Sequence, residues 1–296
     1  MSKTLVTGGL GYIGSHTIVE LIQNNHDVII IDNLSNSSTE VLKNIKSLTS
    51  VEPEFYNIDL KEKNIVYDFF SNQNITSVIH FAAFKAVGES VDNPIKYYEN
   101  NIVSLINILN AIKLLKLEIN FVFSSSCTVY GEADSLPVNE ESRIKKAESP
   151  YGNTKQICEE ILYDFYKSYS KIKTISLRYF NPIGAHPSHL IGELPLGPPQ
   201  NLVPIITQTA AGIREKLIVF GNDYMTHDGT CVRDYIDIND LAKAHFLALT
   251  KMECSEKTFF ENLNLGTGKP KSVMDIIKIF ENISGIKLKY EIGCRR

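Results

Sequence analysis

The chain has 296 residues, and its 30 Lys and Arg against 34 Asp and Glu give a formal charge of −4 at pH 7. Hydrophobic residues make up 43% of the chain and charged residues 22%, which is typical of a globular protein and excludes long disordered or low-complexity segments. The acidic balance argues against a nucleic acid partner. No apolar run approaches the ~18 residues of a membrane span, so we expect no membrane partner and a cytoplasmic location.

Short β-branched runs alternate with helical patterns through residue 180. The predicted strands here are Thr4–Thr7, Val28–Ile31, Glu54–Asn57, Val78–Phe81, Asn120–Phe123 and Thr174–Leu177. The predicted helices between them include Ile13–Gln23, Tyr97–Leu115 and Tyr151–Tyr169. This βαβ rhythm predicts an α/β fold with a doubly wound parallel sheet of the Rossmann type.

A stretch rich in proline and glycine follows, and the pattern changes after it. Residues 181–200 contain five prolines, too many for a helix or a central strand. We expect residues 1–180 to form a dinucleotide-binding domain and residues 181–296 a smaller mixed α/β substrate lobe. Its predicted helices are Leu202–Arg214, Ile238–Thr250 and Ser272–Ile283, and its predicted strands are Leu217–Phe220, Asp234–Asp237, Leu263–Leu265 and Lys287–Glu291.

The first chemical signal is the glycine loop Thr7-Gly8-Gly9-Leu10-Gly11-Tyr12-Ile13-Gly14, between a strand and a helix. Glycines there let backbone N–H groups approach a pyrophosphate at the helix N-terminus. The next predicted strand ends in Asp32, an acidic residue placed to bind a ribose 2′-hydroxyl, which favours NAD over NADP. The alternative is a tight turn with a helix cap and no ligand.

The second signal is Tyr151 and Lys155, four residues apart on a helix that follows Pro150. A nearby ammonium together with a nicotinium favours the phenolate, so Tyr151 is a candidate base close to neutral pH. Ser126 stands just past a predicted strand, where open α/β sheets bind ligands, and its hydroxyl could hydrogen-bond a reacting alcohol or carbonyl. By themselves, a Tyr and a Lys at this spacing more often lie on the solvent-exposed face of a helix.

These motifs together resemble the short-chain dehydrogenase/reductase superfamily, and longer segments narrow the resemblance to the UDP-glucose 4-epimerase family. The matching segments are 11–16, 32–37, 80–90, 124–131, 178–182 and 232–235. The resemblance implies NAD contacts at Gly8, Gly11, Tyr12, Ile13, Gly14, Asp32, Asn33, Leu34, Ser35, Asn36, Ser37, Asp59, Leu60, Phe81, Ala82, Lys85, Asn100, Tyr151, Lys155 and Phe180. It implies contacts to the UDP-sugar at Lys85, Ser126, Tyr151, Tyr179, Asn181, Asn201, Leu202, Phe220, Arg233 and Arg296.

The family resemblance also implies a reaction: interconversion of UDP-galactose and UDP-glucose in galactose metabolism. In it Tyr151, Lys155 and Ser126 are the catalytic residues, NAD oxidises C4 of the sugar, the 4-keto sugar rotates, and re-reduction inverts C4. The resemblance further implies a homodimer. It implies no metal, and the spacing of the five cysteines and of the loop histidines suggests none.

Two alternatives stay open from the sequence. Family members continue past the Arg-Arg motif that ends this chain, so the first alternative is a shortened, inactive NAD-binding homologue. The second is a nucleotide-sugar 4,6-dehydratase. That reaction usually needs acidic residues beside the catalytic Ser or Thr, whereas Cys127 and Thr128 follow Ser126 here.

Overall fold

A computed structural model describes residues 3–295 of the chain. In chain order the strands are β1 (Lys3–Thr7), β2 (Val28–Asp32), β3 (Glu54–Asn57), β4 (Ile75–His80), β5 (Ile119–Ser126), β6 (Ile172–Tyr179), β7 (Asn181–Ile183), β8 (Leu217–Phe220), β9 (Val232–Arg233), β10 (Tyr235–Asp237), β11 (Phe260–Leu265), β12 (Lys271–Ser272) and β13 (Tyr290–Gly293). The helices are α1 (Tyr12–Gln23), α2 (Glu40–Thr49), α3 (Lys63–Ser71), α4 (Val87–Asp92), α5 (Pro94–Leu114), α6 (Pro150–Ser168), α7 (Leu202–Ala210), α8 (Ile238–Glu253) and α9 (Val273–Ser284). A short 3-10 helix (Cys127–Tyr130) follows β5 directly.

Seven parallel strands form the central sheet in the order β11-β6-β5-β4-β1-β2-β3. Two hydrophobic clusters cover its faces. One joins the sheet to α3, α5 and α6, and the other joins it to α1, α2 and α8. Apolar residues on both faces of each inner strand require this double cover, because a parallel sheet keeps little exposed surface. The predicted doubly wound α/β fold is confirmed.

The predicted boundary at residue 180 separates segments that the structure places in one sheet. β11 pairs with β6 along its whole length, and α8 packs against α1. The sheet half of the molecule therefore takes a strand and a covering helix from beyond residue 180. Strands that lie far apart in sequence can be neighbours in one sheet, and no local sequence pattern in β11 predicts that it pairs with β6.

The smaller lobe has a core of its own. Its buried members are Ile206, Leu217, Val219, Ile277 and Leu288, contributed by α7, β8, α9 and the segment before β13. The helix predicted to reach Arg214 ends at Ala210, because Gly212 adopts a left-handed φ of +72°. The strand predicted from Lys287 begins at Tyr290, since Leu288 packs into this core.

Within residues 3–295, no helix combines the length and the apolar composition that a membrane crossing requires.

Candidate active site

The glycine loop packs tightly between β1, α1 and the segment after β4. A side-chain carbon on Gly8, whose φ is +65°, would lie 2.7 Å from the Ala82 nitrogen. One on Gly14 would lie 2.5 Å from the Gly8 carbonyl oxygen. Gly11 caps α1 without a side-chain hydrogen bond, and the first turn holds no acidic residue. The helix N-terminus therefore fits an anionic pyrophosphate.

Asp32 is the buried last residue of β2, and it accepts hydrogen bonds from the loop that follows and from the glycine loop. Its Oδ1 accepts hydrogen bonds from the Leu34 nitrogen (2.9 Å) and the Ser37 hydroxyl (2.8 Å), and its Oδ2 accepts one from the Leu10 nitrogen (3.1 Å). A carboxylate can accept about four hydrogen bonds, so one more donor can be received. The structure thus brings Asp32 to the glycine loop, with Asn33, Leu34, Ser35, Asn36 and Ser37 in the turn around it.

Two buried asparagines of α5 hold the next loops of the predicted cofactor site. Asn107 donates to the carbonyls of Leu60 and Lys61, both at 2.9 Å, which fixes the Asp59–Leu60 turn after β3. Asn101 accepts from the Phe84 nitrogen at 2.9 Å and donates to the Thr154 hydroxyl at 3.1 Å. The second contact links the loop after β4 to α6.

That loop carries the predicted residues Phe81, Ala82 and Lys85, and the neighbouring Asn100 donates to Asn101 at 3.0 Å. Sequence reasoning missed Asn101 and Asn107. The signal that could have found them is a polar residue at an apolar position of a helical pattern.

Ser126, Tyr151 and Lys155 meet at the carboxyl end of β5. Ser126 is the last residue of β5, and its hydroxyl lies beside that of Tyr151. Tyr151 stands in the first turn of α6, which begins at Pro150 and is capped by Ser149. The Lys155 ammonium donates to the Ser124 carbonyl at 2.6 Å and lies 5.9 Å from the centre of the Tyr151 ring. The three side chains form one cluster, in which Lys155 is buried and Ser126 and Tyr151 are partly buried.

Burial moves two pKa values in this cluster toward each other. Loss of hydration raises the pKa of Tyr151 to about 12, although the Ser126 hydroxyl acts in the lowering direction. Burial lowers the pKa of Lys155 to about 8, against the raising effects of Cys158 and Glu159. The predicted near-neutral pKa of Tyr151 is thus not produced by the chain's own residues. The cost of desolvating the phenolate is the reason.

Glu193, from the irregular stretch, joins the two halves of the predicted site. Its Oε1 lies 3.1 Å from the Lys85 nitrogen and accepts a hydrogen bond from the Asn201 amide at 2.5 Å. Asn201 is the N-cap residue of α7. Sequence reasoning missed Glu193, because the partners of an isolated carboxylate in a loop cannot be read from its neighbours.

The other predicted nucleotide contacts lie on the smaller lobe and its junction with the sheet. Asn181 begins β7 and its nitrogen donates to the Asp234 carbonyl at 3.0 Å, and Phe180 immediately precedes it. Burial raises the pKa of the Cys127 thiol, and the charge of Arg233 opposes this rise. This arginine is therefore near the catalytic loop. Leu202 packs on the lobe's core, and Phe220 is exposed at the end of β8.

Tyr179, predicted as a substrate contact, is the last residue of β6. Its side chain is buried, and its hydroxyl is 2.5 Å from Nε2 of the buried His245. The side chain therefore belongs to the packing beneath the catalytic cluster, because β6 points this position toward α8. Arg296 lies outside the described residues. Its neighbour Arg295 pairs with Asp223 at 2.7 Å and stacks on Tyr224.

One cluster of potential metal ligands occurs within residues 3–295, and it lies on the smaller lobe. Ligand atoms of His227, Asp228 and Asp275 all lie within 4.8 Å of one another. Both carboxylates already accept hydrogen bonds from backbone N–H groups. Asp275 completes the capping box of α9 with Ser272, and Asp228 accepts from the Thr230 nitrogen at 2.9 Å.

Comparisons with known proteins place this site in a family. The family profile described as GDP-mannose 4,6 dehydratase matches residues 5–278. The UDP-glucose 4-epimerase of Yersinia enterocolitica is 46% identical over 292 residues, which cover 99% of this chain and 85% of the relative. That of Bacillus subtilis (strain 168) is 47% identical over 292 residues, with the same coverage of both chains. The chain belongs to the UDP-glucose 4-epimerase family.

Solved structures of UDP-glucose 4-epimerases superimpose closely. The Stenotrophomonas maltophila enzyme, with bound NAD and formylated UDP-arabinopyranose, has a TM-score of 0.94 at 44% identity, and the match covers 99% of this chain and 86% of that one. The Bifidobacterium longum UDP-glucose 4-epimerase, in complex with NAD+ and UDP, has a TM-score of 0.94 at 41% identity, covering 100% and 87%. The predicted family resemblance is confirmed.

Proposed function

We propose that this protein is an NAD-dependent enzyme that interconverts UDP-galactose and UDP-glucose by inverting C4 of the sugar. The observation that carries the proposal is the cluster of the buried Lys155 and the partly buried Ser126 and Tyr151 at the carboxyl end of β5, at the same edge of the sheet as the glycine loop after β1. Open α/β sheets bind their ligands at this edge. The names of relatives at 46–47% identity support the same reaction.

The residues present fit NAD. The glycine cradle leaves no room for side chains, and its helix N-terminus is free of a side-chain cap, as a pyrophosphate site requires. Asp32 has acceptor capacity for a ribose hydroxyl, and its charge disfavours the 2′-phosphate of NADP. When bound, NAD supplies the hydride acceptor and donor that the change at C4 needs.

The chain's own residues remove and return the proton of the sugar 4-hydroxyl. The Tyr151 hydroxyl, once deprotonated, takes the proton from the sugar 4-hydroxyl and later returns it. The Ser126 hydroxyl beside it holds the 4-oxygen. The positive charge of Lys155 favours the phenolate, and a cationic nicotinamide ring adds to that effect, which opposes the raised pKa of Tyr151. The burial of Lys155 and the partial burial of Tyr151 and Ser126 limit the access of water to the proton transfer.

The irregular segment and the smaller lobe bind the nucleotide. Arg233 supplies a guanidinium suited to phosphate oxygens, and Asn201 stands at the N-terminus of α7, where partial positive charge favours an anion. Glu193 holds Lys85 and Asn201 together across this cleft.

The test is conversion of UDP-galactose by the purified protein without added NAD, followed by NMR of the nucleotide sugar. We expect UDP-glucose as the product. A folded, NAD-containing protein that leaves UDP-galactose unchanged would refute the proposal. A 4-keto-6-deoxy product would instead identify a dehydratase.

We also propose that two copies pair through the outer surfaces of α5 and α6. Ile95 and Ile106 on α5 and Tyr163 on α6 are large apolar side chains exposed to solvent. Light scattering on the purified protein should give the mass of a dimer, and the mass of a monomer would refute the pairing.

A further inference from the structure

Three neighbouring strands place polar side chains side by side, just behind the catalytic cluster. Ser125 of β5 is the register partner of Arg178 on β6, and Asn264 of β11 is the partner of Arg178 on the other side. Ser125 and Arg178 are each 1% exposed. A fully buried arginine on a central strand is costly unless its charge and its donors are satisfied.

Glu159 of α6 and Tyr130 of the 3-10 helix complete this row. The Arg178 guanidinium donates to both Glu159 carboxylate oxygens, at 3.0 and 2.6 Å, and to the Tyr130 hydroxyl at 2.9 Å. The Ser125 hydroxyl donates to Glu159 at 2.5 Å. The Tyr130 hydroxyl donates onward to the side-chain Oδ1 of Asn264 at 2.7 Å. The pair is therefore tied to β5, β6, β11, α6 and the segment after Ser126.

Along β5 and α6, the contacts of this network lie next to the contacts of the catalytic residues. Glu159 lies one helical turn beyond Lys155 and two beyond Tyr151, on the same face of α6. The three consecutive serines that end β5 each meet one of these positions. Ser126 lies beside Tyr151, the Ser124 carbonyl accepts from Lys155, and Ser125 donates to Glu159. The position of α6 along β5 is thus fixed at three successive turns.

We propose that the buried Glu159–Arg178 ion pair is a positioning device for the proposed reaction: it fixes α6 against the end of β5 and holds the Glu159 carboxylate one helical turn from Lys155. This inference rests on the proposed function. Buried ion pairs often stabilise a fold less than apolar residues of equal volume, so stability alone does not account for this one.

Several groups face the Lys155 ammonium. On α6 they are Tyr151, Cys158 and Glu159, and on β4 the buried His80, whose pKa the Lys155 charge lowers. From β5 come the Ser124 carbonyl and the Phe123 ring, whose centre is 4.9 Å away. Among these, Glu159 is the carboxylate, and its charge raises the pKa of Lys155 against the desolvation that lowers it.

The test variant is Glu159→Gln, which keeps the shape of the side chain and removes its charge. We expect Lys155 to lose its proton about one pH unit lower, so that kcat begins to fall at a correspondingly lower alkaline pH. The KM for UDP-galactose should change less than about twofold, because Glu159 touches no proposed substrate residue. Glu160→Gln, at the adjacent exposed position of α6, is the matched control and should leave the pH profile unchanged.

Two further measurements separate positioning from mere stability. The Lys155 ¹³Cε resonance, assigned by its loss in Lys155→Met, reports the lysine's titration without requiring any turnover. The double variant Glu159→Gln/Arg178→Met removes both buried charges, so it should regain thermal stability while Lys155 still titrates below its wild-type pH.

A folded Glu159→Gln protein in which Lys155 titrates at the wild-type pH would overturn the inference. If the single variant does not fold, the double variant carries the same criterion. Failure of the wild type to convert UDP-galactose would refute the proposed function alone.

Discussion

Tyr151 and Lys155 show how one buried environment acts oppositely on an acid and a base. Desolvation disfavours both the phenolate and the ammonium, so the pKa of Tyr151 rises to about 12 and that of Lys155 falls to about 8. In the protein by itself Tyr151 therefore holds its proton at neutral pH. In the proposed mechanism a cationic nicotinamide near the ring would favour the phenolate, which would couple proton removal to the presence of oxidised cofactor.

Tyr151→Phe removes the hydroxyl and keeps the ring. We expect kcat to fall roughly 10²- to 10⁴-fold, because a positioned acid–base group contributes about that much. NAD content should be unchanged, as measured by absorbance after denaturation. Tyr67→Phe, at an exposed position of α3, is the control and should keep full turnover. Equal turnover of the two variants would contradict the role given to Tyr151.

Glu193→Gln tests the carboxylate that holds Lys85 and Asn201. Removing a negative charge from a site proposed for a diphosphate should tighten the binding of UDP, by about two- to fivefold, since the exposed Lys85 limits the electrostatic gain. Calorimetric titration with UDP measures the change. Glu256→Gln, at an exposed position before β11, should bind as the wild type does. Weaker binding by Glu193→Gln would show that Glu193 mainly orders the cleft.

At the scale of elements, the contact between α1 and the glycine loop limits what residue 14 can be. Gly14→Ala places a methyl group 2.5 Å from the Gly8 carbonyl oxygen, so the helix must move away from the loop. We expect the purified variant to lose most of its NAD and to unfold at a lower temperature. Gly285→Asn, at the left-handed C-cap of α9, is the control, because Asn tolerates that conformation. Normal NAD content in Gly14→Ala would contradict the assigned site.

The elements predicted well from the sequence are those with local signals. The glycine loop before α1 and the Tyr151–Lys155 spacing on α6 depend on residues within one turn, so the pattern alone located them. Glu193 and Arg178 were not assigned roles, because their partners lie far along the chain and only the folded sheet brings them together. The predicted domain boundary at residue 180 stays a prediction, and the pairing of β11 with β6 across it has no local sequence signal.

For the molecule as a whole, two buried histidines predict acid sensitivity. Burial lowers the pKa of His80 to about 3 and that of His245 to about 4, from an ordinary 6.5. The unfolded chain therefore binds more protons below pH 6.5, and the stability present above that pH is lost as the pH falls toward the folded values. Each histidine contributes a slope of about 1.4 kcal/mol per pH unit.

Urea unfolding between pH 6.5 and 4.5 measures this slope. His245→Gln cannot titrate, so its free energy of unfolding should decline less steeply than that of the wild type. The same slope in both proteins would show that His245 does not contribute.

The late position of β11 in the sequence also determines when the central sheet can be completed during synthesis. Residues 180–259 leave the ribosome after β6 and before β11, so the open side of β6 has no strand partner until residue 265 has been made. An unpaired inner strand presents a row of free backbone donors and acceptors, to which another nascent chain can add. The central sheet of the cofactor half is therefore incomplete until residue 265 has been made, although its glycine loop is among the first residues translated.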